Sequence, residues 1–191
     1  MTFQKAIDNL RHTGFNPMPD KVQISMPNPK ELLWSGLRHF EGDNARWLRE
    51  YEDVAKWLEN NEGKGLLCYG NCGRGKSLIC WKIIPVLIHN RYKKVISCYD
   101  AQQMNADIDE VKSKHLIYID DIGTENVSIK YGEKRLAFSE IVDEAEKRGK
   151  LLIVTTNLSL KEIEQKYGER TMDRLVAITK RVKFLGESLR R

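Results

Sequence analysis

The chain has 191 residues, 41% of them hydrophobic and 31% charged, with a net charge of +5. That balance belongs to a folded globular protein with one sizeable core and excludes a disordered chain. No apolar run approaches the ~20 residues of a membrane span, the first residues lack the apolar centre of a secretory leader, and the four cysteines form no Cys-x-x-Cys pair, so the expectation is a cytoplasmic protein with reduced thiols, no membrane partner and no zinc.

Residues 1–44 read as an N-terminal extension, rich in proline and suited to a partner. Four of the five prolines lie in Asn16-Pro17-Met18-Pro19 and Met26-Pro27-Asn28-Pro29. Proline fixes φ and lacks an amide donor, so an extended or turn-rich course is expected there, after a short helix over residues 1–11. Trp47, Leu48, Tyr51, Val54, Ala55, Trp57 and Leu58 recur at helical spacing, as in a helix packed on a sheet. Gly63 and Gly65 end it.

Gly65 to Tyr69 reads as a short buried strand. Gly70-Asn71-Cys72-Gly73-Arg74-Gly75-Lys76-Ser77 then has the spacing of a P-loop, ahead of an apolar helix from Leu78 to Ile88. Glycines let successive amides point at phosphate oxygens, and the positive end of the helix adds to them. Gly70, Asn71, Cys72, Gly73, Arg74, Gly75, Lys76, Ser77 and Leu78 are therefore candidate nucleotide-binding residues. Lys76 would reach the β- and γ-phosphates and Ser77 would bind Mg²⁺.

Lys94 to Tyr99 is a second strand, Ala101 to Lys112 a weaker helix, and Leu116 to Ile119 a third strand ending in Asp120-Asp121. An apolar strand that delivers two carboxylates to the sheet edge beside the phosphates has the form of a Walker B. Asp120 would hold Mg²⁺, and Asp121 would orient or activate the attacking water. Glu133 to Arg148 reads as a long amphipathic helix. Leu151 to Thr155 is a fourth strand, followed by Thr156-Asn157. An amide there can stand beside the γ-phosphate, or it can cap the next helix; Ser159 with Glu162 three residues on has the capping-box pattern. Helices over Ser159–Tyr167 and Glu169–Ile178 precede a last strand, Val182 to Leu185. The alternation implies an α/β fold with a mostly parallel five-stranded sheet, helices on both faces.

Arg170 and Arg174 share a helix face at i, i+4. An arginine can stabilise phosphoryl transfer at a neighbouring subunit's site; equally, the two can be surface residues bridged to Glu169 or Asp173. From Arg170 onward Lys180, Arg181, Lys183, Arg190 and Arg191 add a basic stretch, fit for a nucleic acid or for a solvated face.

In this order the pieces resemble the AAA+ ATPases, and more narrowly the DnaC/DnaI helicase loaders and IstB transposition helpers. The resemblance rests on Gly70 to Ser77, on Ile119-Asp120-Asp121-Ile122-Gly123, on Thr155-Thr156-Asn157-Leu158, on Tyr167 to Leu175, and on the ending Phe184 to Arg190. It implies an AAA+ ATPase domain over residues 45–191 with a minimal or absent lid. It also implies ATP and Mg²⁺ as cofactors, Asn157 as sensor I, Arg174 as an arginine finger acting in trans, with Arg170 as the lesser candidate, and Arg190 as a sensor II-like residue. The implied partners are single-stranded DNA, a hexameric replicative helicase and further copies of the chain in the ATP state. Asp121 departs from the glutamate common in AAA+ proteins, and its shorter reach predicts slow turnover. A transposition helper on duplex DNA and a nucleotide-binding adaptor without turnover are the competing expectations.

Overall fold

A computed structural model describes residues 2–14, 19–125, 128–130 and 133–189. Its first helix, α1 (Phe3–His12), carries no buried residue. Residues 15–18, with Pro17, lie outside the described residues; the segment from Pro19 to Met26 forms neither helix nor strand and buries Val22, Ile24 and Met26. Asn61 holds it there: its Oδ1 accepts from the Ile24 amide at 2.8 Å and its Nδ2 donates to the Val22 carbonyl at 2.9 Å. Part of the stretch expected as an extension thus shares the core.

Pro29 opens α2 (Pro29–Glu41) at a position where a missing N–H costs nothing. Helix α3 (Arg49–Glu59) buries Tyr51, Val54, Ala55, Trp57 and Leu58, so the aromatic stripe is a packing stripe. Strand β1 (Gly65–Gly70) leads through the glycine loop into a π-turn over Leu78–Ile83 and then α4 (Ile84–Tyr92). Pro85 explains the widened turn: it has no amide to donate, and its ring crowds the carbonyl four residues back.

Next come β2 (Ser97–Asp100), α5 (Ala101–Ala106), α6 (Ile108–Ser113) and β3 (Leu116–Asp120). The single helix expected over 101–112 is broken because the Asp107 side chain accepts from the Glu110 amide at 3.1 Å and caps a new start. A hairpin follows, β4 (Ser128–Lys130) with β5 (Glu133–Arg135), before α7 (Ala137–Arg148). Residues 133–135 are therefore strand and not the first turn of a helix. Only two residues, Tyr131-Gly132, separate the paired strands in sequence, and that glycine-containing spacing favours a hairpin over helix propensity. The chain continues with β6 (Leu151–Thr156), α8 (Leu160–Tyr167), α9 (Glu169–Ile178) and β7 (Thr179–Phe184).

The main sheet has the order β2-β3-β6-β1-β7, with every pair parallel. Both faces are covered, so successive residues of a strand enter different cores. Leu66, Cys68, Tyr118 and Ile153 join α2, α3 and α4 on one side. Leu67, Ile117, Ile119, Leu152 and Val154 join Phe138, Ile141 and Val142 of α7 on the other. The loops after β1, β3 and β6 all leave the carboxyl edge, where the candidate residues meet. Among the described residues no helix follows β7, and none is long and apolar enough to cross a membrane.

Candidate active site

The glycine loop turns on residues with positive φ. Gly73 (φ 72°) and Gly75 (φ 83°) adopt backbone that other residues strain to reach, and a side chain at either would strike Ser188 or the Tyr51 hydroxyl. The turn brings Lys76 back over the strand end. Its Nζ donates to the carbonyls of Gly70 at 2.8 Å and Asn71 at 2.7 Å, and to Asn157 Oδ1 at 2.9 Å. Burial pulls the Lys76 pKa down, and the carboxylates of Asp121 and Asp120 oppose that shift. The ammonium stands in a cleft of about 740 Å³ lined by Cys72 to Leu78 together with Asp120, Asp121 and Asn157. Gly70 and Asn71 serve it indirectly, as carbonyl acceptors for Lys76.

The carboxylates divide their surroundings. Asp120 Oδ1 accepts from Ser77 Oγ at 2.8 Å, and from Tyr118 and Thr155 at 2.5 Å each. Burial raises the Tyr118 pKa, which keeps its hydroxyl protonated as a donor. Ser77 and Asp120 present adjacent hard oxygens beside the loop, a donor set that fits Mg²⁺, which takes few protein ligands and keeps phosphate and water as the rest. Asp121 has φ 52°, a conformation that aspartate tolerates better than most residues. Its amide donates to Thr155 Oγ1 at 3.1 Å, and Asn157 Nδ2 donates to its Oδ1 at 2.8 Å. Asn157 therefore joins the Lys76 cation to the Asp121 carboxylate. The capping role falls to Ser159, whose reciprocal bonds with Glu162 start α8.

Thr155 stands between both aspartates and Tyr118. Replacing it with valine keeps the shape but strands the Asp121 amide. Thr155→Val should lower unfolding stability by about 1–3 kcal/mol in urea titrations; an unchanged midpoint would contradict the bridge.

Some positioning residues escaped the sequence reading. Glu125 accepts from the Gly123 amide at 2.7 Å and from the Tyr167 hydroxyl, while Lys166 Nζ donates to the Gly123 carbonyl at 2.5 Å. These contacts tie the turn after Asp121 to the start of the Tyr167–Leu175 block. Tyr167 lies 42 residues from Glu125 and Lys166 lies 43 from Gly123, so no local pattern reports these links. Leu37, Glu41, Asn44, Arg46 and Tyr51 also line the cleft, again without a motif to announce them. Tyr51 donates to the Arg74 carbonyl at 3.0 Å, and burial, helped by Glu50, pushes its pKa from 10.0 up to about 12. Between those values the folded protein keeps a proton that the unfolded chain gives up. This part of the stability is complete below pH 10 and fades as pH rises toward 12. Tyr51→Phe should flatten that portion of an alkaline unfolding profile.

The arginines are placed differently. The Arg74 guanidinium is not free in the loop; it pairs with Glu50 at 2.7 Å. Arg174 lies outside the cleft-lining set, held by Asp143 and, at 3.1 Å, by Glu146, both on α7. Arg170 is mostly exposed, 3.7 Å from Asp143. The carboxylates that hold the pair are thus those of α7, not Glu169 and Asp173. Arg190 lies outside the described residues.

The model of a family described as Novel STAND NTPase 3 matches residues 48–187. No curated protein sequence matches the chain significantly. Among solved structures, the DnaC helicase loader superposes with a TM-score of 0.55 at 19% identity, covering 84% of this chain and 93% of that one. A putative primosome component from Streptococcus pyogenes serotype M3 gives 0.54 at 18%, covering 87% and 88%. AMPPCP-bound DnaA from Aquifex aeolicus gives 0.51 at 19%, covering 69% and 45%. At these identities the likeness is one of fold, and it bears out the α/β core with its parallel five-stranded sheet.

Proposed function

Since the chain belongs to the Novel STAND NTPase 3 family, we propose that it binds and hydrolyses ATP and uses that cycle to load a hexameric replicative helicase onto single-stranded DNA. The observation that carries the ATPase reading is the bridge Lys76–Asn157–Asp121, which sets a cation, an amide and a carboxylate around one point of the cleft. Lys76 binds the terminal phosphates, Ser77 and Asp120 hold Mg²⁺, and Mg²⁺ when bound neutralises phosphate charge. Asp121 orients the attacking water and accepts its proton, and Asn157 keeps Asp121 and Lys76 in register. The likeness to a DnaC helicase loader over most of both chains supports the loader reading.

In this reading Arg174 completes a neighbour's site after leaving Asp143 and Glu146. Arg174→Ala and Asp121→Asn proteins should each be inactive alone and regain turnover when mixed, because mixed interfaces contain one intact site. Mixtures as silent as their parts would remove Arg174 from the mechanism.

The client is tested by a pull-down from host extract with Asp121→Asn protein and Mg-ATP, using Lys76→Ala as the control that lacks nucleotide. Retention of a hexameric helicase by the Asp121 variant alone is the expected result. A transposase in its place would shift the reading to a transposition helper.

A further inference from the structure

Arg74 is the loop residue whose position the phosphate chemistry does not explain. Its side chain is 12% exposed and faces away from solvent toward α3. Nε and Nη2 donate to Glu50 Oε1 at 2.9 and 2.7 Å, and Nη1 donates to the Glu187 carbonyl at 3.2 Å. Glu50 is itself only 7% exposed on its side chain. The Arg74 carbonyl accepts from Tyr51, so α3 grips the same residue by main chain and side chain.

The tail after β7 closes over the loop from the other side. The Leu189 amide donates to the Gly73 carbonyl at 2.8 Å, and Asn71 Nδ2 donates to the Gly186 carbonyl at 2.8 Å. Ser188 occupies the space that a side chain at Gly73 would need. Ser188 and Leu189 also line the cleft. The loop is thus clasped between α3 and the tail, with Arg74 bonded to both.

A buried arginine–glutamate pair adds little net stability, because desolvation offsets its attraction; its effect is to favour one arrangement over others. We infer that Arg74 is a positioning residue: through Glu50 and the Glu187 carbonyl it holds the phosphate loop in its nucleotide-ready shape and couples nucleotide binding to docking of the tail. This rests on the nucleotide reading above. Coupling of this kind is reciprocal, so nucleotide should also steady the tail.

The test is titration of mant-ATP, with Mg²⁺, into the wild type, Glu50→Gln, Arg74→Gln, Arg74→Lys and the Glu50→Gln/Arg74→Gln double variant, each checked by thermal melting. Either single glutamine change should raise Kd about tenfold, with the double variant no worse than the singles, because they break one unit. Arg74→Lys should fall between, since an ammonium keeps the charge but not the fork. Folded variants that bind like the wild type would overturn the assignment, whereas a wild type that binds no mant-ATP would overturn the nucleotide reading itself. Hydrogen exchange on the wild type needs no variant to fold: the Leu189 amide should slow when Mg-ATPγS is added. Unchanged exchange in a protein that binds the nucleotide would overturn the coupling.

Discussion

Lys76→Ala protein should lose ATP affinity by about 100-fold, equivalent to roughly 2.7 kcal/mol. The side chain that disappears carries the loop's ammonium, held by two carbonyls and Asn157 at the mouth of the phosphate cradle. Within the loop no other side chain can supply that charge: the Arg74 guanidinium is committed to Glu50. The fold should survive, because Gly70 and Asn71 remain anchored by the sheet and by the Phe184 carbonyl. Calorimetric titration with ATP checks this, and an affinity within about threefold of the wild type would place the phosphates elsewhere.

Asp121→Asn should behave in the opposite way. The amide keeps an oxygen for the Asn157 donor and tolerates the positive φ of 52° as aspartate does. It loses the basic oxygen that accepts a proton from water. Turnover should fall by about 10²–10⁴, while Kd for ATP shifts by less than about threefold. The two variants thus separate binding from chemistry. Single-turnover hydrolysis with radiolabelled ATP measures the second step, and a rate near wild type would take Asp121 out of the reaction.

The elements legible in the sequence were those whose cause is local. Gly70 to Ser77 announces its turn through spacing alone, and the apolar run before Asp120 announces a buried strand. Two-sided burial of Leu151 to Val154 follows from the same continuous pattern. What stayed hidden depends on distant partners. Asn61 looks like an ordinary turn residue until its bonds to Val22 and Ile24 are seen. Glu125 looks like a loop charge until Tyr167 reaches it. Arg74 reads as one more nucleotide-binding loop residue because Glu50 lies 24 positions away, on the polar side of an otherwise apolar helix pattern. Strand β5 reads as the start of a helix because Glu133, Lys134 and Arg135 lack the apolar alternation that marks a strand. Antiparallel pairing with β4 defines it.

The ATPase account stands most directly on steady-state hydrolysis of Mg-ATP by the wild type over a range of protein concentrations, with Lys76→Ala as background. The account predicts a slow rate per chain that rises with concentration, as sites completed by a neighbour's Arg174 assemble, and that vanishes in Asp121→Asn. A wild type that binds ATP yet hydrolyses it no faster than Lys76→Ala at any concentration would contradict it, and would leave the cleft as a nucleotide-binding switch without turnover.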